Sequence, residues 1–309
     1  MRVGAEPVKR TIFLNLILAV ILLVFASGAP CASANAVDVL RFSGMIDPMA
    51  AQYIGRGIKI AEKDGAECLV IQLDTPGGLD KSMRDIVQNM LSSKVPVIIH
   101  VYPRGARAAS AGVFIAMAAD MVAMSSGTNI GAAHPVDLSG KPVSEKITND
   151  SAAYIRAIAE KKKRDIKWAE QAVRQSASIT ETEALNNNIS DITADDLQEL
   201  LLKMDGKVIE KNGAKFTLKT KGAPVREIPM KLKEKFFHAV SDPNVVYILF
   251  ILGIYGLIYE LAAPGSILPG VVGIVSVVLS LVAFASLPLN FGGMLLIIVS
   301  FVLFVVDIK

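Results

Sequence analysis

The sequence predicts an α/β domain with a largely parallel sheet, followed by a transmembrane helical segment. Three observations carry this. Short apolar, β-branched runs alternate with helix-like stretches from about residue 37 to residue 205. Two of those runs lead into turns of very small residues, Thr75-Pro76-Gly77-Gly78 and Gly105-Ala106-Arg107-Ala108-Ala109-Ser110-Ala111-Gly112. The final stretch is almost wholly apolar, lifting the apolar fraction of the 309 residues to 52% and the mean hydropathy to +0.47, above what a purely soluble chain carries.

Taken in order, Arg2, Lys9 and Arg10 precede an apolar run over residues 12–25, and small residues follow, with acceptable cleavage sites at Ala32-Ser33-Ala34 and Ala34-Asn35-Ala36. This is the pattern of a secretory signal peptide over residues 1–36, an uncleaved anchor being the other reading. Residues 37–42 read as a strand. Asp47-Pro48 is a helix start, with Asp as cap and Pro in the first turn, and the helix runs to about Lys63. Residues 68–73 form a second strand, 81–91 a helix, 97–101 a strand, 113–119 a buried helix and 121–124 a short strand. Residues 145–163 are helical, with Tyr154, Ile155 and Ile158 on one face, and Lys161-Lys162-Lys163-Arg164 reads as a solvated helix end. Two more helices, a weak strand near 189–192 and a polar hairpin within 206–221 complete a domain over 37–228. A chain cut near Lys221 is expected to be soluble. Residues 229–244 place apolar side chains at helical spacing among Lys231, Lys233 and Lys235, as in a juxtamembrane amphipathic helix lying on the bilayer. Three apolar stretches of spanning or near-spanning length, 245–261, 267–287 and 291–306, then make a transmembrane region over 245–309.

The net charge of only +3 argues against a nucleic-acid surface. The three histidines show no ligand spacing, and Cys31 and Cys68 supply no metal or disulfide framework, so neither cofactor nor metal is expected.

The chemistry concentrates at the two small-residue turns. Ser110 falls where a strand passes into a helix, with neighbours too small to cover it. A nucleophile there is approachable, and the unpaired N–H groups of the helix start can stabilise an oxyanion. The competing reading is a tightly packed corner in which Ser110 only caps the helix. Gly77-Gly78 either forms an ordinary strand–helix turn or offers N–H groups to a ligand.

Four segments in order, Asp74-Thr75-Pro76-Gly77-Gly78, Ala109-Ser110-Ala111-Gly112, Gly131-Ala132-Ala133-His134-Pro135 and Lys146-Ile147-Thr148-Asn149-Asp150, resemble the signatures of the NfeD membrane-bound serine proteases. The resemblance runs from about Val37 through the membrane segments. It implies a protease domain of the ClpP/crotonase fold, shared with signal peptide peptidase A, and a Ser–Lys dyad. Carried over motif by motif, Ser110 is the nucleophile, Lys146 the general base, and Gly78 and Ala111 the oxyanion-hole N–H donors. It further implies apolar peptide substrates and a stomatin-like membrane protein as partner and possible substrate, in a homo-oligomer. The long form of the family continues with further membrane sequence and a small OB-fold domain, whereas this chain stops at Lys309.

A serine hydroxyl needs a positioned base to become a nucleophile, and a lysine serves only as the free amine. Lys146 lies just before Thr148-Asn149-Asp150, a plausible helix start whose dipole disfavours an ammonium, although Glu145 opposes this. His134 is the alternative base, with Asp137 three residues on, in a triad like that of ClpP. Pro135 restricts it, and Lys146 is favoured. Lys141 is a weaker candidate in a flexible turn, His100 reads as structural, and His238 has no catalytic company. The expected protein is a multi-pass membrane serine endopeptidase with its protease domain outside the cytoplasm. The competing reading is a non-catalytic scaffold that binds a stomatin-like protein. A crotonase-type acyl-CoA enzyme is a third, disfavoured by secretion.

Overall fold

The computed structural model describes residues 36–137, 140–263, 267–285, 296, 299–300 and 303. The expected signal peptide and most of the third apolar stretch lie outside the described residues. In chain order the first elements are β1 (Val37–Ser43), α1 (Pro48–Asp64), β2 (Cys68–Asp74), α2 (Asp80–Ser92), β3 (Val97–Val101), β4 (Arg107–Ala109), α3 (Ala111–Ala118), β5 (Met121–Met124) and β6 (Asn129–Gly131). Next come α4 (Glu145–Lys162), α5 (Ile166–Arg174), β7 (Ser178–Thr180), α6 (Glu181–Asn186), β8 (Ile192–Thr193) and α7 (Leu197–Met204). The hairpin β9 (Val208–Lys211) and β10 (Ala214–Thr217), then β11 (Val225–Glu227), lead to α8 (Leu232–Val240), α9 (Pro243–Ala262) and α10 (Ile267–Ala285).

The main sheet has six strands in the order β11-β1-β2-β3-β5-β8, and every pairing in it is parallel. Its central strand is buried on both faces, which is why residues 68–73 read as an apolar run rather than an alternation. Side chains still divide by parity. Leu40, Phe42, Leu69, Ile71 and Ile99 face the layer of α1 to α5, while Val37, Val39, Cys68, Val70 and Ile98 face Leu200, Leu201, Met204 and the hairpin's Ile209. Asp47 caps α1 by accepting from Ala50 N–H at 2.6 Å, with Pro48 in the first turn, as the sequence predicts.

A second, three-stranded sheet, β4-β6-β7, was not foreseen. Its strands have only three residues each, too short to carry a strand signal.

The basic run at the end of α4 is less solvated than expected. Lys162 and Lys211 both reach the buried carboxylate of Asp120 at 2.5 Å, and that carboxylate also accepts from Val97 N–H at 2.8 Å. Arg164, with a side chain only 3% exposed, pairs with Asp191 at 2.9 Å. Burial holds the Lys211 ammonium below the usual lysine range, against the opposing pull of Asp120. A single carboxylate thus ties α4, the start of β3 and the hairpin together. Replacing it leaves two buried ammonium groups unpaired, so Asp120→Ala should cost about 3–5 kcal/mol of unfolding free energy, read by chemical denaturation.

The domain does not end at the hairpin. β11 pairs with β1 along the sheet edge, Ile228 N–H donates to Val39 carbonyl at 2.9 Å, and the Tyr53 hydroxyl donates to Ile228 carbonyl at 2.7 Å. α8 is fastened to α1, through Arg56–Glu234 at 2.7 Å and His238–Asp47 at 2.8 Å, so one face of the expected surface helix is committed to protein. Leu232 and Phe236 remain exposed on it. Beyond it, α9 and α10 pack closely: a Cβ on Gly256 would stand 2.7 Å from the Pro269 carbonyl and 3.0 Å from Gly273 Cα. Small residues that let backbones approach are the means by which apolar helices associate in lipid. Among the described residues the span Asn244–Ala262 is long and apolar enough to cross a membrane, and Ile267–Ala283 is a shorter apolar helix. A chain cut at Lys221 lacks β11 and leaves the β1 edge bare. It should therefore aggregate where a chain cut after Ser241 stays monodisperse, as read by soluble yield and size-exclusion chromatography.

Candidate active site

Ser110 is the single residue between β4 and α3. β4 is pinned on both edges. Thr75 N–H donates to Arg107 carbonyl at 2.8 Å, and Ala109 N–H to Thr75 carbonyl at 3.0 Å. On the other edge β4 pairs with β6, whose last residue, Gly131, offers its carbonyl to Ser110 N–H at 3.1 Å. Held from both sides, Ser110 takes φ 52° and ψ −114°. Such a conformation costs a non-glycine residue roughly 1–3 kcal/mol and persists only where its surroundings impose it. The capping reading fails, because the Ser110 side chain makes no capping hydrogen bond to α3. Its hydroxyl lies instead against Gly77, where a Cβ would stand 2.9 Å from Oγ and 2.6 Å from Ser110 Cβ.

The Gly77-Gly78 turn is held just as firmly. The Thr75 hydroxyl, wholly buried, accepts from Gly77 N–H at 3.1 Å. Past the ends of β1 and β2 the two chains go on pairing: Gly44 N–H donates to Asp74 carbonyl at 3.0 Å, Ile46 N–H to Gly77 carbonyl at 2.8 Å, and Leu79 N–H to Ile46 carbonyl at 2.8 Å. Ile46 thereby occupies the groups on either side of Gly78 and leaves the Gly78 N–H without an acceptor among the described residues. The N–H of Ala111, first in α3, has no intrahelical acceptor either. Gly78 follows the residue that touches Ser110, and Ala111 follows Ser110 itself. Two free donors and one hydroxyl therefore meet at the carboxyl ends of parallel strands, where open α/β sheets bind their ligands.

Lys146 lies in the first turn of α4, which begins at Glu145 as the helical reading of 145–163 expects and not at the alternative start by Thr148-Asn149-Asp150. It is exposed and has no hydrogen bond or ion pair among the described residues. Arg84 is one of the groups that tie its helix to the glycine turn. That side chain pairs with Asp80 at 2.9 Å and Asp150 at 2.6 Å, and its guanidinium lies 4.4 Å from the centre of the Tyr154 ring. Tyr154 in turn stacks on Phe114 of α3 at 6.0 Å. Asp80 opens α2 directly after the glycine turn, and Asp150 lies one helical turn beyond Lys146 on the same face. Burial raises the Tyr154 phenol above its usual range, and the two carboxylates raise the Arg84 guanidinium against its own desolvation.

The half-buried His134 donates through Nδ1 to the Val173 carbonyl at 2.9 Å, a backbone partner where a triad requires a carboxylate. Asp137 accepts from Lys141 N–H at 2.9 Å within the following turn, where Lys141 is exposed. His100 is structural as expected: wholly buried, it bonds Ser125 Oγ at 3.1 Å and Ala194 carbonyl at 2.9 Å, and burial lowers its pKa. The Asp80–Arg84–Asp150 link was missed, although the spacing of Asp80 and Arg84 is that of a helical ion pair.

Residues 36–227 match the family described as NfeD1b, N-terminal domain, and residues 244–309 match the NfeD integral membrane domain. The chain belongs to the NfeD family. A membrane-bound protease from Pyrococcus horikoshii, PH1510, is 38% identical over 300 residues, covering 95% of this chain and 68% of that protein. The membrane protein NfeD1b of Bacillus subtilis is 28% identical over 248 residues, covering 80% of this chain and 56% of that one. Among solved structures, the 1510-N membrane-bound stomatin-specific protease, as a lysine-to-alanine mutant with a substrate peptide, superposes with a TM-score of 0.65 at 38% identity. That match covers 68% of this chain and 99% of the other. Its serine-to-alanine mutant gives 0.60 at 39% identity, covering 63% and 98%. The NfeD match and the apolar α9 make the C-terminal part of this chain a membrane domain.

The close contact of Gly77 on Ser110 yields a direct test. Gly77 has φ 123°, so Gly77→Ala adds both backbone strain and a collision with the serine. The variant should be destabilised by about 1–3 kcal/mol. If Ser110 is reactive, labelling by a fluorophosphonate should fall at least tenfold in protein that is still folded by circular dichroism.

Proposed function

We propose that this chain is a membrane-anchored serine endopeptidase that works through a Ser110–Lys146 dyad. The observation that carries the reading is Ser110 itself, a non-glycine residue held at φ 52° with its hydroxyl uncommitted to the helix and two free N–H donors beside it. Structural enzymology knows this arrangement as a strained turn that presents a nucleophile. Lys146 as the base is supported by the tie of α4 to the glycine turn and by the serine and lysine mutants named for the Pyrococcus protease.

In the proposed reaction the free amine of Lys146 removes the Ser110 hydroxyl proton as Oγ attacks the scissile carbonyl. The oxyanion is stabilised by the N–H groups of Gly78 and Ala111. The ammonium returns its proton to the leaving amine as the C–N bond breaks, leaving an acyl-serine. Water, deprotonated by Lys146, then attacks that ester and releases the second product with a regenerated hydroxyl. No cofactor enters. Lys146 is exposed in the unliganded chain, and closing the distance to Oγ is a step that a bound substrate drives, since catalytic hydrogen bonds often tighten only in the complex.

The Pyrococcus structure's stomatin specificity supports a stomatin-like membrane protein as partner, cut in an apolar segment. Placement of residues 37–228 outside the cytoplasm, behind a signal peptide over 1–36 and ahead of a multi-pass region over 245–309, belongs to the same reading, as does a homo-oligomer.

Ser110→Ala and Lys146→Ala should each reduce peptide cleavage by several orders of magnitude, because nucleophile and base act as a unit. His134→Ala should cost roughly tenfold or less. Cleavage by a lysine base should keep rising with pH through the neutral range. Full activity in Lys146→Ala beside a folded but inactive His134→Ala would replace the dyad with a histidine base. A chain that binds a stomatin-like protein yet never reacts with a fluorophosphonate would be a scaffold.

A further inference from the structure

His238, which the sequence leaves without company, is a residue through which α8 reaches the segment that pairs with the glycine turn. Its Nδ1 lies 2.8 Å from Asp47 Oδ2. Its ring packs against Phe42 with centroids 5.3 Å apart, and a Cβ on Gly44 would come within 2.9 Å of its Nε2. The imidazole therefore sits on the whole segment from 42 to 47. That segment is the one whose Ile46 holds Gly77 and Leu79, and a Cβ on Gly78 would run into the Ile46 backbone. Asp47 is committed on both sides, one oxygen to His238 and the other to Ala50 N–H as the cap of α1.

We propose that His238 is a positioning residue for the oxyanion turn, holding Gly78 in place through Asp47 and Ile46 and so linking the entry to the membrane helices with the catalytic site. The inference rests on the protease reading for its kinetic consequence, but the contact chain is independent of it. Three observations make the link specific. α8 has a second, separate fastening to α1, Arg56 to Glu234 at 2.7 Å, so the helix does not need His238 merely to dock. Asp242, which caps α9, follows His238 by four residues and faces its imidazole, so the start of α9 lies beside His238. The side chain is half-buried, so its bond to Asp47 is only partly open to competition from water.

The groups that face the imidazole are Asp47 at the start of α1, the Ser43 carbonyl at the end of β1 and Asp242 at the turn into α9. On its own helix Glu234 is held by Arg56. All three facing groups favour the imidazolium, led by the hydrogen bond to Asp47, and raise the His238 pKa against the effect of burial. The linkage therefore has one sign. The charged pair is complete below the ordinary histidine range and is lost as pH rises through the raised value. The turn should be tightest on the acid side of the raised His238 pKa and should loosen as pH rises through it.

The experiment uses the full chain in detergent micelles or nanodiscs, with His238→Ala, His238→Gln, Asp47→Asn and Ser110→Ala. Asn keeps the cap on α1, and Gln keeps an amide donor for Asp47 without a titrating ring. Amide exchange measured by mass spectrometry over residues 44–48 and 77–80 should accelerate about tenfold or more in His238→Ala. Exchange in α4 should be unchanged. On a cleavable peptide, kcat should fall about tenfold with KM within about twofold, and His238→Gln should recover most of the loss. Across the His238 titration, wild-type kcat should rise less steeply with pH than that of His238→Gln. Unchanged exchange over both segments in His238→Ala would overturn the inference, and so would a kcat and pH profile identical to wild type. A wild-type chain that neither cleaves nor labels at Ser110 would sink the protease reading alone, and the exchange data would still decide the positioning role.

Discussion

No side chain fits between Gly77 and Ser110, and the site depends on that contact. It brings together two turns that the chain makes more than thirty residues apart, one at the end of β2 and one after β4. For the hydroxyl to lie there, Ser110 must accept a backbone conformation it would not adopt alone. Its neighbours must be pinned, and for that β4 must have partners on both sides. The small second sheet is thus explained by the residue it supports, not by the apolar area it buries. Three short strands, one buried threonine and the Gly131 carbonyl are the means by which the chain holds one serine out of its preferred conformation.

Around this point the structure separates rigid parts from adjustable ones. The serine and the glycine turn are fixed by backbone hydrogen bonds, which water cannot easily replace once they are buried. Lys146 is placed only through its helix, whose inner face is packed in the core and whose first turns are also held by the Asp80–Arg84–Asp150 bridge, the carboxylates of which remain well exposed. Exposed ion pairs contribute little to stability. Their use here is geometric: they set where the first turn of α4 stands while leaving the lysine side chain free to turn.

Much of this was legible in the sequence. The parallel sheet could be read because its central strands β2, β3 and β5 are buried on both faces and carry largely apolar runs. The cap of α1 could be read from Asp47-Pro48 and the start of α4 from Glu145. The turns at Gly77-Gly78 and Ser110 stood out as small residues after strands, although each also reads as an ordinary tight corner. It was the family resemblance that joined Ser110, Gly78 and Ala111 into one proposed site. What stayed hidden was whatever depends on long-range pairing. Lys162 and Arg164 sit in a basic run that looks solvated, and nothing local announces Asp120 and Asp191. β4, β6 and β11 are strands of three residues each, defined by what lies beside them and not by their own composition. His238 reads as an isolated histidine because its partner stands at the other end of the domain.

The position of β11 carries a further consequence for biogenesis. The first strand of the sheet waits for its outer neighbour until roughly 180 residues later, some ten seconds or more at ribosomal speeds of about 5–20 residues per second. That neighbour is among the last soluble segments to be made before the hydrophobic helices emerge. Closure of the sheet and the docking of α8 therefore fall at the moment when the chain is being handed to the bilayer. A nascent polypeptide without α8 lacks the His238 contact to Asp47, so the segment that pairs with the glycine turn gains that support only as the chain reaches the bilayer.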